Sequence, residues 1–78
     1  MEAYVLVRVR GGEREMVEHL RRLPQVVEAE IVYGEYDVVV KVRAGKKEEL
    51  SRIVLEEIRG RFDVERTSTL IAVGSEQV

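Results

Sequence analysis

The sequence predicts a small α+β domain of the ferredoxin-like βαββαβ type, in which two helices cover one face of an antiparallel sheet. Its 78 residues suffice for a single domain with one layer of helices on a sheet, which we place over residues 1–78. Four segments alternate apolar and polar residues as strands do, and two other segments carry an apolar helical stripe. Right-handed crossovers in both strand-helix-strand halves then interleave the four strands into one sheet.

The first strand is predicted over residues 3–9, where valines alternate with other side chains. A glycine pair ends it, and a helix follows with acidic residues in its first turn and Arg21 and Arg22 in its last, as the helix dipole favours. Pro24 disfavours helical geometry in the residue before it and ends the helix. His19 lies off the apolar stripe, so we expect it to be exposed. The stripe consists of Met16, Val17, Leu20 and Leu23.

A β-hairpin is predicted over residues 26–43. Strands 26–33 and 36–43 are separated by Gly34 and Glu35, and glycine at the first central position favours a type II′ turn. A longer loop is an alternative if it keeps the same parity of side chains. The two-residue turn sets these residues opposite each other: Tyr33 and Tyr36, Ile31 and Val38, Ala29 and Val40, Glu28 and Lys41, and Val27 and Val42.

The second helix is predicted over residues 46–59, with an i,i+4 ion pair between Glu48 and Arg52. The glycine that follows is a natural helix stop. A final strand spans about residues 65–73, and residues 74–78 form a loose tail. The apolar stripe of this helix consists of Leu50, Ile53, Val54 and Ile58.

Composition excludes several classes of function. The formal net charge of −2 argues against a nucleic-acid backbone binder, which needs a concentrated basic face. No cysteine and a single histidine exclude thiolate and imidazole metal sites, and we predict no metal, no cofactor and no catalytic residue. The apolar runs are too short for a membrane span, so we expect a cytoplasmic protein. Abundant Glu, Arg and Val without Asn or Trp indicate a thermophilic source.

The sheet face opposite the helices is too apolar for a simple monomer surface. Such a patch is typical of a partner surface, and a second copy in a two-fold dimer is the simplest partner. The alternative is a half-polar face whose Lys and Arg stems cover the apolar part. The predicted dimer interface comprises Tyr4, Leu6, Val32, Val39 and Leu70, with Ala72 beside them.

Two short stretches carry the candidate functional residues. Glu35 and Asp37 flank Tyr36 on the same side of a strand, although turns also favour acidic residues for solubility. The final strand carries three consecutive hydroxyl side chains, which β propensity alone also explains. These hydroxyl residues are Thr67, Ser68 and Thr69.

The stretches YGEYDVVVKV and VERTSTLIAV resemble two landmarks of the Lrp/AsnC (feast/famine) regulators' effector domain, the RAM domain: a Gly-x-Tyr-Asp hairpin and a Val-x-x-Thr-x-Thr final strand. The resemblance covers residues 3–73. It implies dimers through the open sheet face, rings of such dimers, and an amino-acid effector bound near the hairpin and the last strand. The matching positions are Gly34, Tyr36, Asp37, Thr67 and Thr69, with Glu35 and Ser68 as neighbours. The family's helix-turn-helix is missing, so we expect a stand-alone member that does not bind DNA itself.

The resemblance therefore implies an amino-acid-sensing oligomerisation domain that modulates transcription or metabolism. An ammonium group needs an anionic acceptor such as Asp37 or Glu35, and a carboxylate needs N–H groups or hydroxyls. Two alternatives stay open. One is a small dimeric ferredoxin-like enzyme of the monooxygenase or isomerase type, and the other is a ligand-free adaptor that assembles with full-length Lrp/AsnC regulators.

Overall fold

A computed structural model describes residues 1–74 and shows the predicted βαββαβ order. One sheet has the strand order β2-β3-β1-β4, and all neighbouring strands run antiparallel. This confirms the predicted fold class. The elements are β1 (Glu2–Val9), α1 (Glu13–Leu20), β2 (Val26–Ile31), β3 (Val38–Arg43), α2 (Lys47–Arg52), a π-helical segment (Ile53–Arg59) that continues α2, and β4 (Val64–Ile71).

The core lies between the helices and one face of the sheet. The odd-numbered residues of β1 point into it, and Met16, Val17 and Leu20 of α1 cover them, which confirms three residues of the first predicted stripe. The helix ends at Leu20, earlier than predicted, so Arg21, Arg22 and the partly buried Leu23 lie beyond it. Leu50, Ile53 and Ile58 fill the other half. Every buried residue in the described part of the chain is apolar. Burial of these side chains drives folding, because each contributes about 1.5–3 kcal/mol when removed from water.

The hairpin has a longer loop than the predicted two-residue turn. The pairs Ile31–Val38 and Glu28–Lys41 are confirmed, but β2 ends at Ile31 and β3 begins at Val38. Gly34 has a φ of 137°, a conformation that side chains rarely adopt. The longer loop keeps the predicted parity.

The predicted pair Val27–Val42 is wrong. Val26 lies opposite Val42 instead, because the register shifts between Val26 and Glu28. The extra residue of this β-bulge, Val27, has no position opposite it in β3 and is 44% exposed.

The second helix changes its winding part-way. It is α-helical up to Arg52 and π-helical over Ile53–Arg59. Arg52 contacts Glu56 at 3.8 Å and Glu57 at 3.9 Å, so its predicted pairing with Glu48 is wrong. These two acceptors lie one turn towards the C-terminus, at i+4 and i+5.

Of two further predictions, the exposure of His19 is wrong and the final strand is confirmed. His19 is not the exposed residue that we expected, because its side chain is only 14% exposed and contacts Glu57. The final strand is confirmed but ends at Ile71, two residues early. Of the predicted tail, residues 75–78 lie outside the described residues. None of the described helices is long and apolar enough to cross a membrane.

Candidate functional site

The hairpin tip is held in place by two arginines of the neighbouring strands. Nη1 of Arg8 donates hydrogen bonds to the carbonyl oxygens of Glu35 at 2.9 Å and Gly34 at 3.4 Å. The guanidinium of Arg66 lies 5.2 Å from the ring centroid of Tyr36, and its Nη2 lies 3.9 Å from Oε2 of Glu35. Arg8 and Arg66 are opposite each other in β1 and β4. The tip is therefore attached to the end of the sheet rather than projecting freely.

Asp37 is fixed by both its backbone and its side chain. Its N–H donates to the carbonyl of Val7 at 2.9 Å, and its Oδ2 accepts a hydrogen bond from the N–H of Val9 at 2.9 Å. Thr67 lies opposite Val7 on the other side of β1. Asp37 and Thr67 thus flank the same part of β1, so the fold brings the hairpin and the last strand to one end of the sheet.

A cavity of about 430 Å³ opens beside the hairpin. One part of its lining is apolar and the other carries two carboxylates, those of Glu13 at the start of α1 and Asp37. Among the described residues, Glu13 takes part in no ion pair. The cavity is lined by Glu13, Ile31, Val32, Tyr33, Gly34 and Asp37.

The three hydroxyl residues of β4 are divided between the two faces of the sheet. Thr67 and Thr69 lie opposite the buried Val7 and Val5, so their side chains are on the helix face, while Ser68 lies opposite Leu6 on the open face. Thr69 lines a separate groove of about 330 Å³ beneath the second helix. Within one described chain, Asp37 and Thr69 therefore do not share a cavity.

The open sheet face carries apolar and charged side chains in adjacent rows. Tyr4 is 39% exposed and Leu70 is 51% exposed, and they lie opposite each other in β1 and β4. Leu6 and Val39 are opposite each other and half-buried. Nζ of Lys41 lies 5.8 Å from the Tyr4 ring centroid, so a lysine stem covers part of the apolar patch, as the alternative interpretation requires.

One carboxylate at the rim of this face is held in its charged form. Arg43 donates to Oε2 of Glu2 from Nε at 3.0 Å and from Nη2 at 2.6 Å. These bonds, with the charges of Lys41 and Arg43, hold the pKa of Glu2 below its usual value. The rim thus keeps paired charges around an apolar centre.

Sequence reasoning missed three residues that shape the hairpin end. Arg8 and Arg66 anchor the tip, and Glu13 supplies a second carboxylate to the cavity. Arg66 lies inside the VERTST stretch, and the pairing of β1 with β4 would have identified Arg8 as its neighbour. No group of three or more His, Cys, Asp or Glu in residues 1–74 is arranged to hold a metal ion.

The fold and this hairpin end match a known family. The family model of the Lrp/AsnC ligand binding domain matches residues 2–76. The chain belongs to this family. An uncharacterised HTH-type transcriptional regulator of Pyrococcus horikoshii is 36% identical over 74 residues, which cover 90% of this chain and 49% of that protein. The chain spans about half the length of the curated relatives it matches.

Solved structures agree with this membership. A Thermus thermophilus protein superposes with a TM-score of 0.83 at 43% identity, covering 91% of this chain and 90% of that one. A transcriptional regulator of Neisseria meningitidis in complex with L-Met superposes with a TM-score of 0.80 over 92% of this chain and 49% of that one, and at 20% identity this likeness shows the fold alone. The resemblance found in the sequence is confirmed, and the predicted thermophilic source agrees with the Pyrococcus and Thermus relatives.

Proposed function

We propose that this Lrp/AsnC ligand-binding domain senses an amino acid and responds through its assembly, without contacting DNA itself. The observation that carries the proposal is the hairpin cavity, in which Asp37 is oriented by the N–H of Val9. A carboxylate fixed in this way is a ready acceptor for an ammonium group. The Neisseria regulator, whose structure holds L-Met, supports an amino acid as the class of ligand.

The lining of the cavity suits the ammonium group of an amino acid better than its carboxylate group. Its two carboxylates, Glu13 and Asp37, suit an ammonium group, and Ile31 and Val32 suit an apolar side chain. The ligand carboxylate needs hydroxyls or N–H donors, which Thr67, Ser68 and Thr69 carry on another strand. We therefore propose that a second copy of the chain contributes its last strand to complete the site. Glu35 and Tyr36 lie in the hairpin between the lining residues Gly34 and Asp37, and Arg66 contacts both of them.

Assembly through the open sheet face would couple this site to oligomeric state. Tyr4, Leu6, Val39 and Leu70 form an apolar centre that a two-fold partner would cover. Val32, the remaining residue of the predicted interface, lines the hairpin cavity instead. A ligand that binds between copies shifts the equilibrium by its differential affinity for the assembled state. A ring of dimers is the proposed end point.

Calorimetric titration with each of the twenty amino acids tests the sensing proposal. At least one amino acid should release or absorb heat and change the sedimentation coefficient of the chain. Asp37→Asn keeps an oxygen for the Val9 N–H but removes the charge, and it should weaken binding at least tenfold. Glu18→Gln, at an exposed position of α1, is the matched control and should bind like the wild type. No heat and no size change with any amino acid would leave the ligand-free adaptor as the better description.

The open-face dimer has its own test. Leu6→Lys places a charge at the centre of the face and should convert the dimer to a monomer in sedimentation equilibrium. Val27→Lys, at the exposed β2 bulge, should leave the dimer intact. A dimer that survives Leu6→Lys argues against this face as the interface.

One observation argues against the enzyme alternative, and another argues against DNA binding by this domain. The buried residues of the described chain are all apolar, and the groove between helix and sheet has no histidine in its lining, whereas the enzyme alternative requires a polar pocket there. The net charge of −2 supports a domain that does not hold a nucleic-acid backbone. A mobility-shift titration with duplex DNA at low salt tests this, and retardation at micromolar protein would contradict it.

A further inference from the structure

The groove beneath the second helix has the opposite charge from the hairpin cavity. Among the described residues that line the groove, Lys47 is the only charged one, and none is a carboxylate. The lining of the hairpin cavity carries the carboxylates of Glu13 and Asp37 and, among the described residues, no cation. The two cavities therefore suit ligands of opposite charge.

Lys47 lies at the end of the groove that Ile71 forms. It is the first residue of α2, and β3 ends shortly before it at Arg43, which is opposite Glu2 in β1. Ile71 of β4 is opposite Ala3, the next residue of β1. The start of α2 and the end of β4 thus meet at the same end of the sheet. Within residues 1–74 Lys47 takes part in no ion pair, so its charge is open to a ligand.

Hydroxyl and apolar side chains follow the cation along the groove. Ser51 comes one helical turn after Lys47, about 6 Å along α2, and Thr69 is the hydroxyl that β4 contributes. Leu55, a further turn along, is 57% exposed, and Ile71 is 39% exposed, although both line the groove. This apolar surface is open to a ligand as well. The other apolar residues of the lining are Leu50 and Val54.

We propose that this groove binds an apolar monocarboxylate of short to medium chain length. The ligand carboxylate pairs with the ammonium group of Lys47 and accepts hydrogen bonds from the hydroxyls of Ser51 and Thr69. The hydrocarbon chain covers the exposed surface of Leu55 and Ile71. The groove has a volume of about 330 Å³, which is within the range of about 300–1,000 Å³ for small-molecule sites.

An amino acid fits this groove less well than a plain carboxylate does. Its ammonium group would lie beside the ammonium of Lys47, and the described lining has no carboxylate to accept it. Removing an ammonium group from water without such a partner is unfavourable. The groove therefore selects a carboxylate that lacks an ammonium group.

This site is separate from both surfaces of the proposed function. Thr69 and Ile71 are opposite the buried Val5 and Ala3, so they lie on the helix face and not on the open sheet face. Asp37 lines the other cavity. A monocarboxylate in the groove contacts both the second helix and β4, and it stabilises the folded chain by binding to it. The proposal does not depend on amino-acid sensing.

Ligands with the same six-carbon chain test the proposal on the full, isotope-labelled chain by amide chemical shifts. Hexanoate should shift the signals of Ser51, Leu55, Thr69 and Ile71, with a dissociation constant on the order of 1 mM, typical of so small a ligand. Norleucine adds the ammonium group and hexanol removes the charge, so each should bind the groove at least tenfold more weakly. Butanoate should bind about 15-fold more weakly than hexanoate, because each buried methylene strengthens binding about fourfold.

Charge reversal at Lys47 supplies a second measurement. Lys47→Glu should weaken hexanoate binding at least tenfold, and hexylammonium should then shift the signals of the groove in its place. Lys46→Glu makes the same charge change outside the lining and should bind hexanoate like the wild type. Asp37→Asn changes the hairpin cavity alone and should also leave hexanoate binding unchanged, which separates this test from that of amino-acid sensing.

Several outcomes would overturn the proposal. The absence of saturable shifts with hexanoate is the first. Equal binding of hexanol would show a groove that is merely apolar, and equal binding of norleucine would show that the ammonium group is not rejected. Unchanged hexanoate binding in Lys47→Glu, or shifts confined to residues 31–37, would also contradict it.

Discussion

Nε2 of His19 lies 2.7 Å from Oε1 of Glu57, and this contact joins α1 to the π-helical segment. The two side chains are 14% and 23% exposed, and the imidazole also lies 5.8 Å from the ring centroid of Phe62. Glu57 further lies 3.9 Å from Arg52. A histidine, a carboxylate and an aromatic ring thus close the space between the two helices at the margin of the apolar core.

Removal of either member of this pair should destabilise the fold. His19→Ala leaves a partly buried carboxylate without its hydrogen bond, so we expect a loss of about 1–3 kcal/mol in the free energy of unfolding. The single and double variants with Glu57→Ala, compared by urea denaturation, should show a coupling of at least about 0.5 kcal/mol. Glu18→Ala on the exposed side of α1 should change stability by less than about 0.5 kcal/mol. Additive effects of the two substitutions would mean that the contact contributes nothing.

Gly60 should be required where the π-helical segment ends. A Cβ at this position would lie 2.8 Å from the carbonyl oxygen of Leu55 and 3.2 Å from that of Glu56. Both oxygens belong to the backbone and cannot move far. Gly60→Ala should therefore lower the free energy of unfolding by about 1–3 kcal/mol, as overpacking does. At Gly45 the nearest atom, in the Glu49 side chain, is 3.8 Å away, which makes Gly45→Ala the matched control. Equal melting temperatures for the two variants would contradict this account.

The fold was predictable because its strongest signals are local. Alternation in β1 and the Ile31–Val38 register follow from burial of one sheet face, and the structure agrees with both. The bulge at Val27 and the change to π-helical winding at Ile53 were not predictable, because each adjusts the backbone to tertiary contacts. The burial of His19 was missed for a related reason: its partner Glu57 is distant in sequence.

The candidate site was predictable only in outline. The sequence identified the hairpin and the last strand, and Asp37 and Thr67 do flank the same part of β1. It did not indicate that Thr69 lines a different groove, since that depends on how far the second helix stands from β4. It also gave no sign that Arg8 reaches the hairpin carbonyls.

Acid should destabilise the protein through two carboxylates with lowered pKa values. The N–H of Gly45 donates to Glu49 at 2.7 Å and Gln25 donates to it at 3.2 Å, and these bonds lower the pKa of Glu49; Arg43 does the same for Glu2. Each group therefore stabilises the fold above the ordinary glutamate pKa of about 4.3, and this contribution is lost as the pH falls through the lower, folded-state value.

Urea denaturation between pH 2 and 7 measures this dependence. The unfolded chain takes up these protons at higher pH than the folded one, so stability should rise with pH across the acidic range. The double variant Glu2→Gln, Glu49→Gln should show a shallower rise than the wild type. Glu18→Gln, which removes an exposed carboxylate of α1, should keep the wild-type slope. A double variant with an unchanged slope would show that other carboxylates dominate.

Arg8 should order the hairpin tip without governing global stability. Nη1 of its guanidinium donates to two successive carbonyls, of Gly34 and Glu35, and a lysine ammonium on its flexible four-carbon stem would be held there less firmly. Arg8→Lys should therefore speed amide exchange over residues 33–36 severalfold while changing the free energy of unfolding by less than about 1 kcal/mol. Arg14→Lys on the exposed side of α1 should leave exchange at the tip unchanged. Because the tip forms one wall of the cavity beside Asp37, Arg8→Lys should also weaken amino-acid binding. Unchanged exchange at the tip would mean that the loop keeps its shape without the arginine.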